Sequence, residues 1–351
     1  MVGDSFQRLW LRATALCLLG QMALSFPLWG WRAAGAVPAL PVWGEAGGAE
    51  AWWWWLPGLL PALPALLTVV FPDRRLTMTL VLCLLFSALF DINRMQPWVY
   101  WYVLVWGVTA FVADPRPVLA WVMPAVYVWS GLHKITPWFA EDNFPWFCDA
   151  FAVTRPLGTP ALGYLAAVLE ALLAPLLWFP RTRHWAVSGA LLLHAWIMLV
   201  LSPAGLHWNA VVIPWNAAMM ATVLYVFIPK NIFYKPDKPF EWMLVVWLFL
   251  SPLIPGLPRV FGWHLYNNTH PEATFVRGQT TPSCVTDWDS LAYGNGNRLL
   301  LDDWAVRSLG VPLFNSRPVF ERLHRYLQGC SSGGGDLEVL EVDWWKNSSD
   351  E

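Results

Sequence analysis

Long apolar segments recur along most of this chain, and they constrain its fold more than any other feature. Stretches of roughly 15 to 24 apolar residues give about nine candidate membrane spans. They run from Phe6 to Trp29, Trp53 to Phe71, Leu76 to Phe90, Trp98 to Val112, Pro117 to Lys134, Thr159 to Phe179, His184 to Leu201, Trp208 to Ile228 and Phe240 to Leu257. Of the 351 residues, 57% are hydrophobic and 13% charged, with a mean hydropathy of +0.43. We therefore expect a mainly α fold, a polytopic transmembrane helix bundle.

The third and fourth spans are short for a full crossing. A short apolar helix tilts into a locally thinner bilayer, or it enters the membrane and returns on the same side. The sequence leaves both arrangements open for 76–93 and 98–112.

Basic residues predict the orientation of the bundle, because Lys and Arg are retained in cytoplasmic loops. With a cytoplasmic N-terminus, the outer loops carry only Arg32, Arg94, Lys134 and Arg155. The inner segments carry the basic residues at positions 8, 12, 74, 75, 116, 181, 183, 230, 235 and 238. Segments 91–97, 133–134 and 203–209 then face the same outer compartment, so we expect any active site to open outward.

The composition changes near Pro258, which predicts two domains, a bundle over 1–257 and a small α+β extramembrane domain over 258–351. "WHLYNNTHPEATFVR" and "LEVLEVDWW" have strand-like residue types. "LLLDDWAVRSLG" reads as a helix that ends at Gly310. Ser316 caps a further predicted helix, whose apolar residues Val319, Leu323 and Leu327 share one face.

Several classes of function are excluded or disfavoured. The net charge is −2 and no basic tract is present, which argues against nucleic-acid binding. No C-x-x-C pair occurs, and three of the seven histidines, at 133, 194 and 207, lie on separate segments without close ligand spacing, so no metal site is predicted. Cys284 and Cys330 can form a disulfide if their side of the membrane is oxidising.

Lys134 is the strongest candidate for catalysis. A lysine in an apolar pocket loses the solvation of its charged form, which makes the neutral amine available as a base. The alternative is an interfacial lysine whose stem lies along lipid while its ammonium group reaches water. Its neighbour His133 either orients Lys134 or lies at the interface, since adjacent helical residues point about 100° apart.

Other polar residues lie within or beside the spans. Asp91 and Arg94 are three residues apart and are expected to pair on one helical face. Glu170 lies in the middle of an apolar run, so it must be protonated or find a partner on another span. His194 is the expected partner, either in a proton relay or in a hydrogen bond between two helices.

The entrance of the eighth span carries further polar side chains. His207 lies just before it, Asn209 is its second residue and Asn216 lies further along it. The candidates for contacts with a bound cofactor are His133, Asp91, Arg94, His207 and Asn209.

Five segments together resemble one family. "SGLHKITPWF" resembles the Gly-x-x-Lys stretch of vitamin K-dependent gamma-carboxylases, of bacterial HTTM (horizontally transferred transmembrane) proteins and, in a shorter form, of DoxX-like membrane proteins. "DINRMQPWVYWY", "HAWIMLVLSPAGLHWNAVVIPWNAAM", "DDWAVRSLGVP" and "RPVFERLHRYL" resemble further segments of the bacterial relatives. The resemblance runs from about Leu89 to Leu327 and implies a multi-pass protein of the bacterial inner membrane.

The resemblance also implies chemistry. In the carboxylases a lysine of this motif is regarded as the base that deprotonates a reduced vitamin K, and Lys134 occupies the matching position. His194 matches a helix histidine of the family. The resemblance therefore implies a lysine base that acts on a lipid-soluble, quinol-type cofactor. We expect polar groups of His194, Glu170 or the Asp91–Arg94 loop to assist it.

One departure limits what the resemblance implies. The 258–351 tail is small beside the large domain that the carboxylases use for a protein substrate, so carboxylation of protein glutamates is not expected. The rival interpretation is a non-catalytic membrane protein that binds lipid, transports a solute or presents its soluble tail to a partner.

Overall fold

The computed structural model describes residues 2–47, 52–229, 235–254, 257, 263 and 271–340. Helices dominate the chain up to Leu250. They are α1 (Val2–Leu24), α2 (Phe26–Trp29), α3 (Trp52–Leu59), α4 (Ala62–Val70), α5 (Arg74–Phe90), α6 (Pro97–Phe111), α7 (Arg116–His133), α8 (Phe144–Cys148), α9 (Pro160–Trp178), α10 (Arg183–Leu201), α11 (Val212–Phe227) and α12 (Pro239–Leu250). A π-helical turn, Phe139–Asn143, precedes α8. The expected mainly helical fold is confirmed.

Prolines divide the first two predicted spans. The first consists of α1 and α2, which meet at Ser25, two residues before Pro27. The second consists of α3 and α4, which are separated around Pro61. Proline has no N–H to continue the helical hydrogen-bond pattern and its ring clashes with the preceding turn, which accounts for both breaks.

Among the described residues, two helices are long and apolar enough to cross a membrane by length and composition. They are Pro160–Trp178 and Arg183–Leu201, and only 28% of each apolar stretch is buried. The helices Val212–Phe227 and Pro239–Leu253 are apolar but shorter. The number of nine spans stays a prediction.

The chain forms two compact units whose boundaries differ from the expected split at Pro258. The first contains residues 1–21, 64–81 and 100–268, and the second contains 22–63, 82–99 and 269–351. The tail gathers two earlier segments because it bonds to their main chain: Trp304 Nε1 donates to Gly35 O at 2.9 Å, and Arg322 donates to Pro41 O at 2.7 Å. A change in composition along the chain does not reveal such pairings.

In the first unit, α7 packs along α9 and also contacts α11 and α12, while α10 packs against α9 and α11. Gly131 determines how closely α7 and α9 approach. A Cβ at this position would lie 2.5 Å from Ala171 N and 2.7 Å from Ala167 O. The absence of a side chain therefore lets the two backbones meet.

The second unit contains a three-stranded antiparallel sheet in the order β2-β1-β3, with β1 (Glu272–Arg277), β2 (Arg298–Leu300) and β3 (Gly335–Leu340). Phe275 lies opposite Leu299 and Leu337 and is fully buried. Three helices accompany the sheet, α13 (Trp288–Leu291), α14 (Leu301–Leu309) and α15 (Arg317–Gly329).

The predicted tail elements are largely confirmed. α14 ends at Gly310, which has a φ of 76°, a left-handed conformation that suits glycine. α15 follows Ser316 and buries the expected face of Val319, Leu323 and Leu327. The predicted strands are present as β1 and β3, although parts of both segments, 264–270 and 341–345, lie outside the described residues. Cys284 and Cys330 form a disulfide with their Cα atoms 5.9 Å apart.

Candidate functional site

Lys134 follows directly after α7 and turns its side chain towards α9. Its Nζ donates to Glu170 Oε2 at 2.7 Å and to Ser130 Oγ at 3.0 Å. The Lys134 side chain is 6% exposed and that of Glu170 is 10% exposed. The Phe139 ring centroid lies 5.8 Å from Nζ, so an aromatic face also contacts the amine. The geometry is that of a nearly buried ion pair between two apolar helices.

The spacing of three polar residues along α7 explains this placement of Lys134. Tyr127, Ser130 and Lys134 are spaced by three and four residues, so they share one face of the helix. Gly131, beside Ser130, brings that face close to α9. The Gly-x-x-Lys spacing thus combines a close helix approach with a lysine one turn further along.

A second hydrogen-bonded chain lies beside the ion pair. Tyr127 Oη is 2.8 Å from His194 Nε2, and His194 Nδ1 is 2.7 Å from Asn216 Oδ1. Asn216 Nδ2 donates to Val212 O at 2.8 Å, which fixes the orientation of the amide. These contacts connect α7, α10 and α11.

The orientation of the Asn216 amide shows which atoms carry the protons in these hydrogen bonds. Because Asn216 Nδ2 is a donor to a main-chain oxygen, Oδ1 faces the imidazole as an acceptor, and His194 Nδ1 carries the hydrogen. The Nε2 atom of a neutral imidazole is then an acceptor, so the Tyr127 hydroxyl donates to it.

The Lys134–Glu170 ion pair and the hydrogen-bonded residues Tyr127, His194 and Asn216 border one small cavity of about 30 Å³. Its polar lining consists of Tyr127, Ser130, Lys134, Glu170, His194 and Asn216, and its other walls include Val126, Leu193, Ile197, Trp215 and Met219. This volume admits one water molecule or one hydroxyl group. The walls keep the surroundings of the ion pair apolar, which strengthens electrostatic contacts within it.

The structure brings together the three residues predicted to be catalytic, Lys134, Glu170 and His194. Their pairing differs from the expectation in one respect. Glu170 contacts Lys134 rather than His194, which bonds to Tyr127 and Asn216 instead. The lysine is therefore not solitary in an apolar pocket, because a carboxylate from α9 offsets the cost of burying the ammonium group.

Three predicted cofactor contacts do not border the cavity. The half-buried ring of His133 stacks on Trp129 of the same helix, with centroids 5.5 Å apart. His207 is exposed, with a φ of 51°, and Asn209 is half-buried in the same loop before α11. Adjacent helical residues point in different directions, so the side chains of Lys134 and His133 lie in different surroundings.

Asp91 and Arg94 lie in the second unit, and they do not form the expected pair with each other. Asp91 forms an ion pair with Arg32, and its other oxygen accepts from Leu40 N at 3.3 Å and Asn93 N at 3.1 Å. Arg94 donates to Leu28 O at 3.0 Å and to Ser87 O at 2.9 Å. Burial lowers the pKa of Arg94 to about 10, although nearby Asp91 acts in the opposite direction.

A short three-residue helix explains this difference. Asp91 is its N-cap and accepts a hydrogen bond at the helix start, while Arg94 is its last residue. The two side chains therefore do not meet along a regular α-helical face.

Two residues that line the cavity, Tyr127 and Ser130, were not among the site residues predicted from the sequence. The signal was the spacing of 127, 130 and 134, which places three polar residues on one face of an otherwise apolar helix. Among the residues that the structure describes, no group of three or more His, Cys, Asp or Glu side chains is arranged to hold a metal ion.

Comparisons with known proteins add no assignment. No protein-family model matches the chain, and neither the curated proteins nor the solved structures contain a match.

Proposed function

We propose that this chain is a multi-pass integral membrane protein that removes a proton from a lipid-soluble weak acid, with Lys134 and Glu170 as its base. Its N-terminus lies on the cytoplasmic side and its C-terminal segment on the outer side, as the basic residues predict. The proposal places it with the HTTM and gamma-carboxylase class that its motifs resemble.

Apolar exposure supports a membrane location. α9 presents Leu162, Leu165, Leu169 and Leu172 at its surface, each at least 36% exposed. These positions follow helical spacing, so they form a continuous apolar stripe. A core helix of a soluble protein would bury such a stripe, whereas lipid tails cover it without cost.

The buried ion pair is the single observation that carries the enzymatic proposal. Removing two charges from water costs several kcal/mol per ion, and an apolar pair of similar volume usually stabilises a fold as well or better. α7 and α9 already pack closely through Gly131, so they do not need an ion pair to associate. Proton exchange explains the placement of a titratable amine and carboxylate here better than stability does.

The proposed step moves one proton. A ligand hydroxyl within hydrogen-bond reach of the pair loses its proton, the Glu170 carboxylate becomes a carboxylic acid, and Lys134 remains an ammonium ion. The ligand anion then lies beside the positive charge of Lys134, which stabilises it in apolar surroundings. The 2.7 Å contact holds the Lys134 ammonium group beside the carboxylate that takes the proton.

A quinol, the cofactor that the resemblance implies, does not fit inside the cavity. A volume of about 30 Å³ holds a hydroxyl group but not an aromatic ring. We therefore assign no reaction step to an enclosed quinol. The ligand presents one hydroxyl to the pair while its apolar body stays outside the cavity.

The rival function, lipid binding without catalysis, is favoured by a different feature. α6, the start of α7 and α12 line an apolar groove of about 720 Å³, which includes Gly107, Phe111, Phe240, Met243 and Trp247. This volume is in the range of small-molecule sites. The groove holds an apolar chain without requiring Lys134.

Air oxidation of a naphthoquinol in liposomes tests the enzymatic proposal, because oxidation follows loss of a hydroxyl proton. We expect wild type to accelerate the reaction over protein-free liposomes and Lys134→Met to lose about 100-fold or more of that acceleration, because the ligand anion then lacks the positive charge that stabilises it. Arg116→Met, which breaks the exposed pair with Asp114 at the opposite end of α7, is the matched control and should retain it.

Two outcomes would contradict the enzymatic proposal: no acceleration by wild type, or equal rates in wild type and Lys134→Met. The rival predicts instead that Gly107→Leu, whose side chain enters open space in the groove, reduces the phospholipid that co-purifies with the protein.

A further inference from the structure

We propose that Tyr127 and His194 form a second proton site that resets the Lys134–Glu170 pair, and that Asn216 is the positioning residue that holds His194 in the required tautomer. This inference rests on the proposed function for its role in turnover. The tautomer itself is independent of any activity.

The direction of the hydrogen bonds supports a relay towards His194. Asn216 Oδ1 accepts from Nδ1, which leaves Nε2 as a lone-pair acceptor for the Tyr127 hydroxyl 2.8 Å away. The Tyr127 oxygen can then receive a second proton on its remaining lone pair. Tyr127 and the ion pair border the same 30 Å³ cavity, which has room for one hydroxyl or water molecule to bridge them.

The proposed step balances. After the pair has taken a proton from the ligand, it passes one proton to the Tyr127 oxygen, while Tyr127 gives its own hydroxyl proton to His194 Nε2. Lys134 and Glu170 return to ammonium and carboxylate, Tyr127 is again a neutral phenol, and His194 becomes an imidazolium. Its Nδ1–H then makes a charge-assisted bond to Asn216 Oδ1, which stabilises the new charge.

The series of hydrogen-bonded groups ends at Asn216. An amide oxygen accepts a hydrogen bond but does not pass a proton on, and Nδ2 is already bonded to Val212 O. His194 therefore stores a proton, and this chain of residues does not conduct protons further along α11.

Nitrogen-15 NMR of histidine-labelled protein tests the tautomer, with the His194 signals assigned by their loss in His194→Gln. We expect Nδ1 to be protonated and Nε2 bare in wild type. Asn216→Asp keeps the acceptor and should keep this tautomer, whereas Asn216→Leu removes the acceptor and should shift the proton to Nε2. An Nε2–H tautomer in wild type, or no change in Asn216→Leu, would overturn the assignment.

Turnover of the naphthoquinol tests the role of Tyr127. Wild type holds two ligand protons, one on His194 and one on the ion pair, so we expect a burst of about two quinols per protein. In Tyr127→Phe the ion pair still takes a proton but cannot pass it to His194, so the burst should fall to about one. A burst equal to that of wild type would overturn the relay. Loss of the burst together with a wild-type tautomer in the NMR spectrum would instead count against the proposed function of the pair.

Discussion

Removing one partner of the Lys134–Glu170 pair should destabilise the protein far more than removing both. In Lys134→Met, the carboxylate on α9 faces apolar walls without a cation, and in Glu170→Leu the ammonium group loses its anion. Both side chains are at most 10% exposed, so water does not screen the loss. We expect each single variant to lower the free energy of unfolding by about 3 to 5 kcal/mol.

A proton balance gives a similar magnitude. The isolated group can escape the burial cost by becoming neutral. At pH 7, protonating a carboxyl group of ordinary pKa costs about 4 kcal/mol, and deprotonating an ordinary amine costs about 5 kcal/mol. These neutralisation costs have the same magnitude as the loss expected for the two single variants. The double variant, Lys134→Met with Glu170→Leu, buries no charge and should lie within about 1 kcal/mol of wild type or above it.

Equilibrium unfolding in detergent, followed by tryptophan fluorescence, measures the three variants. Arg116→Met is again the control, because its ion pair with Asp114 is exposed and should contribute less than about 1 kcal/mol. Single variants that cost no more than this control would refute the inference that the pair is desolvated. A double variant destabilised by the sum of the two singles would refute the inference that the pair itself is the cause.

Three further predictions concern other parts of the chain. Gly131→Val places side-chain atoms against the backbone of α9 and should lower the unfolding free energy by about 3 kcal/mol or more, measured by the same unfolding experiment, whereas Gly107→Ala meets open space and should have little effect. Burial raises the pKa of Asp302 to about 6, so the unfolded chain binds fewer protons there and stability falls as pH rises from about 4 to 6. Asp302 should account for up to about 3 kcal/mol of this fall in the free energy of unfolding. The Asp302→Asn variant should lack that contribution, which unfolding curves across the same pH range measure. Replacing Cys284 and Cys330 by Ala opens a loop with a sequence separation of 46 and should cost about 4 kcal/mol in chemical unfolding of the second unit.

Each of these predictions has a contrary result. Equal effects at Gly131 and Gly107 would mean that α7 and α9 do not meet at Gly131. Parallel pH profiles of wild type and Asp302→Asn would show that another group causes the slope, since the remaining titrating groups are common to both proteins. Unchanged unfolding of the cysteine variant would show that the bond does not constrain the unfolded chain.

Local patterns predicted several elements correctly. The helix that ends at Gly310 and the buried face of Val319, Leu323 and Leu327 both follow from residues close in sequence. Turn residues and helical spacing act within a few positions, so the chain itself contains the information. The same spacing places Ser130 and Lys134 on one face of α7.

The sequence by itself determined that this chain is mainly helical and apolar, with a titratable lysine placed three residues after a glycine. Tertiary structure alone decided which groups that lysine and its neighbours meet. Glu170 lies 36 residues from Lys134, and Asp91 lies 59 residues from its partner Arg32, so neither pairing has a local signal. Helix periodicity fixes the direction of each side chain on its own helix, whereas an ion pair depends on which two helix faces pack together. Close contacts such as that of Gly131 on α7 with α9 make this choice, and they exist only in the folded chain.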